Sequence, residues 1–164
     1  MEIEVKLRDR MLDDAERFWH ILNNENFRWF GKPPDTIEGE RAYIEKDLNN
    51  PLMRNYTILY GEEIVGGIGI RMDAHRSWIA EVGYFIDENH WNKGIATRAV
   101  LLCKEKAKEL GIRRIELVID KENTASEYVA IKAGYGLDGL MLRKLKNPRD
   151  GTYADGLLYS KLID

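Results

Sequence analysis

The sequence predicts a mixed α/β fold, and two observations carry that expectation. Runs rich in β-forming side chains are interleaved with segments whose apolar residues recur every three or four positions. The strongest such segment, Ile95 to Leu110, lies between two strand-like runs, AEVGYFID and RRIELVID. The elements read, in order, strand, two helices, three strands, helix, strand, helix and two strands.

Each element has its own signal. IEVKL alternates apolar and charged residues as a half-buried strand does, and Met11 to Asn24 then turns helical. Asp13 or Asp14 is the expected cap of that helix, with Leu12, Ala15, Phe18, Trp19 and Leu22 on its apolar face. NFRWFGKPPDT, broken by Pro33 and Pro34, reads as a loop or short helix, and TIEGERAYIEKDLNN as a second helix. NYTILYGEEIVGGIGIRMD gives two strands turning at Gly61-Glu62-Glu63, and AEVGYFID a third. The helix from Ile95 to Leu110 carries Ile95, Ala96, Ala99, Val100, Cys103, Ala107 and Leu110 as its apolar stripe and stops at Gly111. RRIELVID aligns Ile115, Leu117 and Ile119 on one side of a strand, and NTASEYVAIKAG is a helix opened by Asn123 or Thr124 and closed by Gly134. Two last strands flank the turn cluster Asn147-Pro148-Arg149-Asp150-Gly151.

Bulk composition narrows the function. At 164 residues, 44% hydrophobic and 32% charged, the chain is expected to form one soluble domain over residues 1–164. A net charge of −3 argues against nucleic acid as the partner, and the lack of long uncharged apolar runs argues against a membrane. The N-terminus lacks the basic and apolar regions of a signal peptide, and the single Cys103 suits a reducing compartment, so a cytoplasmic location is expected. Cys103 sits on an apolar helix stripe and reads as a buried structural thiol. His20, His75 and His90 are too dispersed for a local metal motif, so no metal is expected. Gly66-Gly67-Ile68-Gly69 lacks the last glycine of a dinucleotide fingerprint and reads as a bulge or close strand packing.

The stretch HWNKGIATRA joins the third of the grouped strands to the long helix. A glycine loop at that junction directs unpaired amides, and the positive end of the helix dipole, toward one point, which favours a phosphate. A single glycine is also an ordinary helix start.

Three blocks resolve that ambiguity by resemblance. EVGYFIDENHWNKGIATRAV resembles the signature segment of the GNAT superfamily of acetyl-CoA-dependent N-acetyltransferases, with Trp91-Asn92-Lys93-Gly94-Ile95-Ala96 on the pyrophosphate loop R/Q-x-x-G-x-G/A. Trp91 replaces the Arg or Gln, as in the branch of ribosomal-protein N-terminal acetyltransferases, where W-G-K-G-Y-A-T-E-A is usual; Asn92 replaces a frequent glycine. ENTASEYVAIKAGYGLDG matches that branch's N-x-x-S and K-x-G-F through Asn123, Ser126, Lys132 and Gly134, with Tyr135 for Phe. RDGTYADGLLYSKL is similar to its closing strand.

The resemblance implies a mostly antiparallel sheet with a central parallel pair of strands that splay apart, and helices on both faces. Acetyl-CoA is the implied co-substrate. Its pantetheine would lie in the splay on the main chain of Tyr84, Phe85 and Ile86, with Asn123 bonding a pantetheine amide. The pyrophosphate would sit on Asn92, Lys93, Gly94, Ile95, Ala96 and Thr97.

The implied reaction is direct attack of a primary amine on the thioester. An α-amine with pKa near 8 needs little help to lose its proton, whereas a lysine costs about 4 kcal/mol at neutral pH. Glu81 is the leading candidate base, weighed evenly against a solvated strand-end carboxylate. The oxyanion donor would be a main-chain N–H near Phe85 or Ile86. Many family members place an acidic tyrosine seven residues after the asparagine; here that position is Ala130. In the resembling branch a serine three residues after the asparagine is the proposed acid, here Ser126, whose hydroxyl is also a candidate helix cap. A protein N-terminal α-amine is slightly favoured as acceptor over a small-molecule amine. The alternative is a non-catalytic acyl-CoA-binding module. Contributions from a partner subunit leave a homodimer open.

Overall fold

A computed structural model describes residues 2–29 and 32–164. One seven-stranded sheet runs through the molecule, with strands Val5–Asp9 (β1), Met53–Tyr60 (β2), Glu63–Met72 (β3), Ile79–Ile86 (β4), Arg114–Asp120 (β5), Gly136–Lys146 (β6) and Tyr153–Leu162 (β7). The spatial order is β1-β2-β3-β4-β5-β7-β6. All neighbours are antiparallel except β4 and β5. A parallel pair cannot be joined by a tight turn. Here the crossover from β4 to β5 is the helix Ile95–Glu109 (α3).

The other helices are Ala15–Leu22 (α1), Ile37–Leu48 (α2) and Thr124–Lys132 (α4). Strand side chains alternate between faces. On β4, Ala80, Val82 and Ile86 join the main core with Ile95, Ala99, Val100, Cys103 and Ala107 of α3. Phe85 instead packs with Ala15 and Phe18 of α1 and Ile44 of α2. The sheet is therefore covered on both faces, and β4 serves both layers. Burying each large aliphatic side chain of this set stabilises the fold by roughly 1.5–3 kcal/mol.

Most elements follow the sequence pattern. Thr36 caps α2 by accepting from Gly39 N at 3.0 Å, and Asn123 caps α4 by accepting from Ser126 N at 3.1 Å. Gly111 and Gly134 adopt φ of 84° and 86°, which stops the helices before them. The first helix differs from expectation. It begins as a short 3-10 turn at Leu12–Asp14, and neither helical start carries a side-chain cap in the usual sense. The Asp14 carboxylate, only 2% exposed, reaches back to Met11 N at 2.9 Å and accepts from Arg8 at 2.8 Å and Thr57 Oγ1 at 2.6 Å. It ties α1 to β1 and β2. The buried face is Ala15, Phe18 and Ile21, so Ile21 replaces Trp19 and Leu22 as its last fully buried member. Trp19 is held at the edge by donating to Pro34 O at 2.7 Å. Of the loop expected at NFRWFGKPPDT, Phe30 and Gly31 lie outside the described residues.

Candidate active site

The splay follows from the register. Strands β4 and β5 pair only at Ile79↔Arg114, Ala80↔Ile115 and Glu81↔Glu116. Beyond Glu81 each strand keeps its outer partner: β4 continues along β3 to Ile86↔Gly66, and β5 along β7 to Asp120↔Gly156. In an antiparallel ladder the main-chain groups of successive residues alternate between the two sides of the strand. Asp87 N donates to Val65 O at 2.7 Å, so the odd positions of β4 bond to β3, and Val82, Tyr84 and Ile86 turn their amides toward β5. By the same reasoning Lys121 N, bonded to Asp155 O at 2.9 Å, commits the odd positions of β5 to β7 and leaves Val118 and Asp120 facing the gap. An opening lined by unpaired main-chain groups on both sides accepts an extended, amide-bearing ligand as an added strand.

This geometry sorts the predicted pantetheine contacts. Tyr84 and Ile86 face the gap, whereas the Phe85 main chain faces β3. The Ile86 carbonyl already accepts from Trp91 Nε1 at 2.8 Å. Trp91 thus supplies an N–H donor where the family pattern has Arg or Gln, and its ring stacks obliquely on Phe27 at 5.6 Å.

The loop after β4 is anchored at its start. Asp87 accepts from Arg17 Nη2 at 2.5 Å, and Arg17 Nε donates to Ile64 O at 3.1 Å. Burial pushes the Asp87 carboxyl up, but Arg17 and the Asn89 amide outweigh it and hold it below the usual carboxylate range. Asn92 and Gly94 then take φ of 62° and 75°. This left-handed conformation is readily open to glycine and tolerated by asparagine. Among the described residues, the amides of Asn92 through Thr97 donate to no main-chain carbonyl, and the α3 ladder begins with Arg98 N on Gly94 O at 3.1 Å. A Cβ placed on Gly94 would meet nothing within 4 Å. The point where these amides converge, at the positive end of a 15-residue helix, is thus open to an anion. Lys93 Nζ stands 5.8 Å from the centre of the Tyr60 ring.

Across the gap, the first turn of α4 presents Asn123 and Ser126. The Asn123 side-chain oxygen is used as the cap, and the Ser126 hydroxyl is not a cap: it lies 2.9 Å from the Tyr84 hydroxyl. That pair joins β4 to α4. Ala130 is fully buried, and Tyr128 is exposed on the far side of the helix.

On the α1–α2 face a cleft of about 570 Å³ is bounded by Tyr43, Lys46 and Asp47 of α2, Arg71 of β3, Glu81 of β4 and Glu116 of β5. Glu81 and Glu116 are register partners. Glu116 is held by Arg114 Nε at 2.9 Å, whereas Glu81 is exposed and makes no ion pair among the described residues. Beneath this side, Arg10 Nη2 donates to Tyr56 O at 2.9 Å, and its guanidinium lies 5.0 Å from the Phe18 ring centre. Burial lowers the Arg10 pKa to about 10 against the pull of Asp47, Asp14 and Glu40. Burial also raises the Glu40 carboxyl, which is 5% exposed, with Arg10 opposing. Glu40, Ile44 and Asp47 form the sheet-facing row of α2. Acidic residues at i and i+7 flanking the apolar Ile44 were the one sequence signal for this side, and the pattern of α2 does not by itself mark them as functional. Arg10, Arg71 and Glu116 carry no such signal.

Comparison with known proteins gives the family and the fold. Residues 4–136 match the acetyltransferase (GNAT) domain. An uncharacterized N-acetyltransferase, YoaA of Bacillus subtilis, is 30% identical over 94% of this chain and 90% of its own length. The ribosomal-protein-serine acetyltransferase of Escherichia coli is 29% identical over 66% of this chain, a match spanning 60% of that protein. The spermidine N(1)-acetyltransferase of E. coli is 24% identical over 85% of this chain and 77% of its own. The crystal structure of the Microcin C7 self-immunity acetyltransferase MccE with acetyl-CoA and AMP superposes with a TM-score of 0.87 at 25% identity, covering 98% of this chain and 93% of that one. The binding-module alternative finds no support among these proteins. The chain belongs to the GNAT acetyltransferase family, as an acetyl-CoA-dependent N-acetyltransferase among whose relatives is the ribosomal-protein branch that its motifs resemble.

Proposed function

We propose that this acetyltransferase acts on the α-amine of a protein or peptide N-terminus, with residues 1–164 working as a single domain. The observation that carries the acceptor class is the composition of the cleft by Glu81. Its carboxylates, Asp47, Asp73, Glu81 and Glu116, attract an ammonium group, while Lys46 and Arg71 line the same space. Two cations oppose a polyamine, which carries further positive charge, but can bond the carbonyls that follow a peptide's first residue. The ribosomal-protein-serine relative adds support for an N-terminal acceptor.

In this reading acetyl-CoA lies in the splay along Tyr84 and Ile86. Its pyrophosphate rests on the amides of Asn92, Lys93, Gly94, Ile95, Ala96 and Thr97, with Asn123 turning its side-chain NH₂ to the pantetheine. Glu81 takes the ammonium proton through water, and the neutral amine attacks the acetyl carbon. A gap-facing N–H of β4, that of Ile86 or Tyr84, receives the oxyanion. The C–S bond then breaks toward Ser126. The buried thiol of Cys103 suits a cytoplasmic enzyme.

Thiol release measured over an amine panel tests the acceptor. Peptides with a free N-terminus should give higher kcat/KM than spermidine, free amino acids or an N-terminally blocked lysine peptide. Spermidine turning over faster than every peptide would reverse the assignment. Glu81→Gln should lower kcat about tenfold or more at pH 7, with the deficit closing as pH rises toward the amine pKa near 8 and the acceptor deprotonates unaided. A deficit constant from pH 7 to 9.5 would remove Glu81 as base. The outer strand β6 and its neighbour expose Leu137, Leu140, Leu142 and Leu162, which supports a homodimer through this edge. A monomeric mass by light scattering at micromolar concentration would dismiss it.

A further inference from the structure

We infer that Tyr84 is a positioning residue for the leaving group: its phenol donates to Ser126 Oγ and thereby turns the single serine proton into the gap, onto the departing thiolate of coenzyme A. The inference rests on the acetyl-transfer reading of the splay and on Ser126 as its leaving-group donor, and it goes beyond that reading in assigning the donor's orientation to a second hydroxyl.

The argument starts from the fold. Tyr84 lies on β4 beyond the last residue paired with β5, and Ser126 lies in the first turn of α4, which directly follows β5. Their 2.9 Å contact therefore spans the two walls of the splay. A hydroxyl has one proton and two acceptor lone pairs, so which partner donates decides which proton remains for a ligand. Tyr84 is half-buried, and Ser126 Oγ is its hydroxyl's hydrogen-bond partner. The helix-capping duty that would otherwise occupy Ser126 is carried by Asn123. Burial raises the Tyr84 phenol above its ordinary value, with the Ser126 bond acting against that rise, so it stays protonated at neutral pH; a phenol is a stronger donor and a weaker acceptor than an aliphatic hydroxyl, which favours Tyr84 as the donor of the pair. The serine oxygen is then occupied as an acceptor, and its O–H is free to point away from Tyr84.

The charge balance also requires a hydrogen bond more than a proton transfer. The N–C bond forms, the C–S bond breaks, and its electron pair stays on sulfur; the ammonium proton leaves by Glu81 and water. A serine alkoxide is a stronger base than a thiolate of pKa near 8.5, so complete transfer from Ser126 would run uphill. A polarised hydroxyl that donates to the thiolate, while solvent later supplies the proton, stabilises the same transition state without forming an alkoxide. Tyr84 thus takes up, from strand β4 and not from α4, part of the role left open by Ala130.

The test compares acetyl-CoA with acetyl-selenocoenzyme A, whose selenolate is a weaker base and leaves with less help. Single-turnover transfer to the best peptide of the panel is measured for the wild type, Tyr84→Phe, Ser126→Ala and the double variant. With acetyl-CoA, Tyr84→Phe should be slower by about tenfold, the scale of one charge-assisted hydrogen bond, while acetyl-CoA affinity stays within about twofold. The deficit should shrink to about threefold or less with the selenoester, and the double variant should be no slower than Ser126→Ala, because the two hydroxyls act as one unit. Equal slowing with both esters would make Tyr84 a mere brace for α4, and a wild-type rate would leave it no role; either overturns the inference. If Tyr84→Phe does not fold, judged by loss of its melting transition, the ester comparison on Ser126→Ala decides, since an unchanged ratio there removes the donor that Tyr84 is said to orient. A wild-type protein that releases thiol with no amine of the panel would instead fail the acetyl-transfer reading itself, and this inference with it.

Discussion

The loop from Trp91 to Thr97 and the cleft bounded by α2 meet at β4 but are built from different materials. The loop offers main-chain amides left free of main-chain partners around Asn92 and Gly94, which take left-handed φ values, while its Trp91 side chain braces it against Ile86 O and Phe27. The cleft is lined by side chains from α2, β3, β4 and β5, set over a layer of half-buried Arg10 and buried Asp14 and Glu40 whose charges must be balanced group by group. A main-chain site tolerates exchange of its side chains and fails when charge or bulk enters it. A side-chain site is sensitive at each supporting group.

The largest effect should come from placing a charge in the loop. Gly94→Glu has room for its Cβ, which meets nothing within 4 Å, and carries only the strain that any side chain meets at φ 75°, but it sets a carboxylate at the proposed pyrophosphate site. Acetyl-CoA at millimolar concentration should then produce no rise in Tm, against several degrees for the wild type. Gly94→Ala is the control: with φ at 75° it costs roughly 1 kcal/mol of conformational strain and should keep weakened binding. Wild-type affinity in Gly94→Glu would mean the loop is only the start of α3.

These materials also explain what could be read in the sequence. The loop, its helix and the Asn123–Ser126 turn are local, so a strand followed by a glycine and an amphipathic segment announces them within a few residues. The order of elements and the cap at Asn123 are legible for the same reason. The direction of each amide was not. Phe85 and Ile86 are adjacent, and only the pairing of Asp87 with Val65 shows that one faces β3 and the other the gap. Long-range pairs were hidden too: Tyr84 and Ser126 are 42 positions apart, and Asp14 and Thr57 are 43 apart. In the sequence Asp14 resembles a helix cap, because a short acidic residue before an apolar helical run usually is one. Its actual partners come from three other places in the chain.

Asp14→Asn is expected to have the next largest effect, and on stability more than on coenzyme binding. Burial alone would raise the Asp14 carboxyl, but hydrogen bonds from Arg8, Thr57 and the Met11 amide outweigh it and keep it below the usual carboxylate range. Removing its charge leaves Arg8 facing a neutral amide and should cost about 3 kcal/mol at pH 7. A carboxyl depressed in the folded state stabilises above the unfolded pKa near 4, and that stability is lost as pH falls through the folded value. The gap between wild type and variant in urea melts should therefore be constant from pH 8 to 5 and close below about pH 4. A gap that persists at pH 2.5 would assign the loss to altered packing of α1 and not to charge.

The smallest of the three effects, and the one that separates the two regions most sharply, is expected for Gly67→Ala. Unlike Gly94, Gly67 is confined: a Cβ there would sit 2.5 Å from Arg10 Nη2 and 2.8 Å from the Phe85 ring. Neither neighbour can retreat freely, since Arg10 is held by Tyr56 O and Phe85 packs edge-on to Phe18 at 5.1 Å. Overpacking of this kind costs about 1–3 kcal/mol. The Arg10 guanidinium must shift, and with it the charge balance of Glu40 and Asp47 beside the proposed acceptor cleft. The acceptor KM should accordingly rise severalfold while acetyl-CoA affinity, which is proposed to rest on main-chain amides of the gap and the loop, stays within about twofold. Equal losses of both affinities would mean that β4 moves as one body, and that its β3-facing and gap-facing edges are not independent supports for the two substrates.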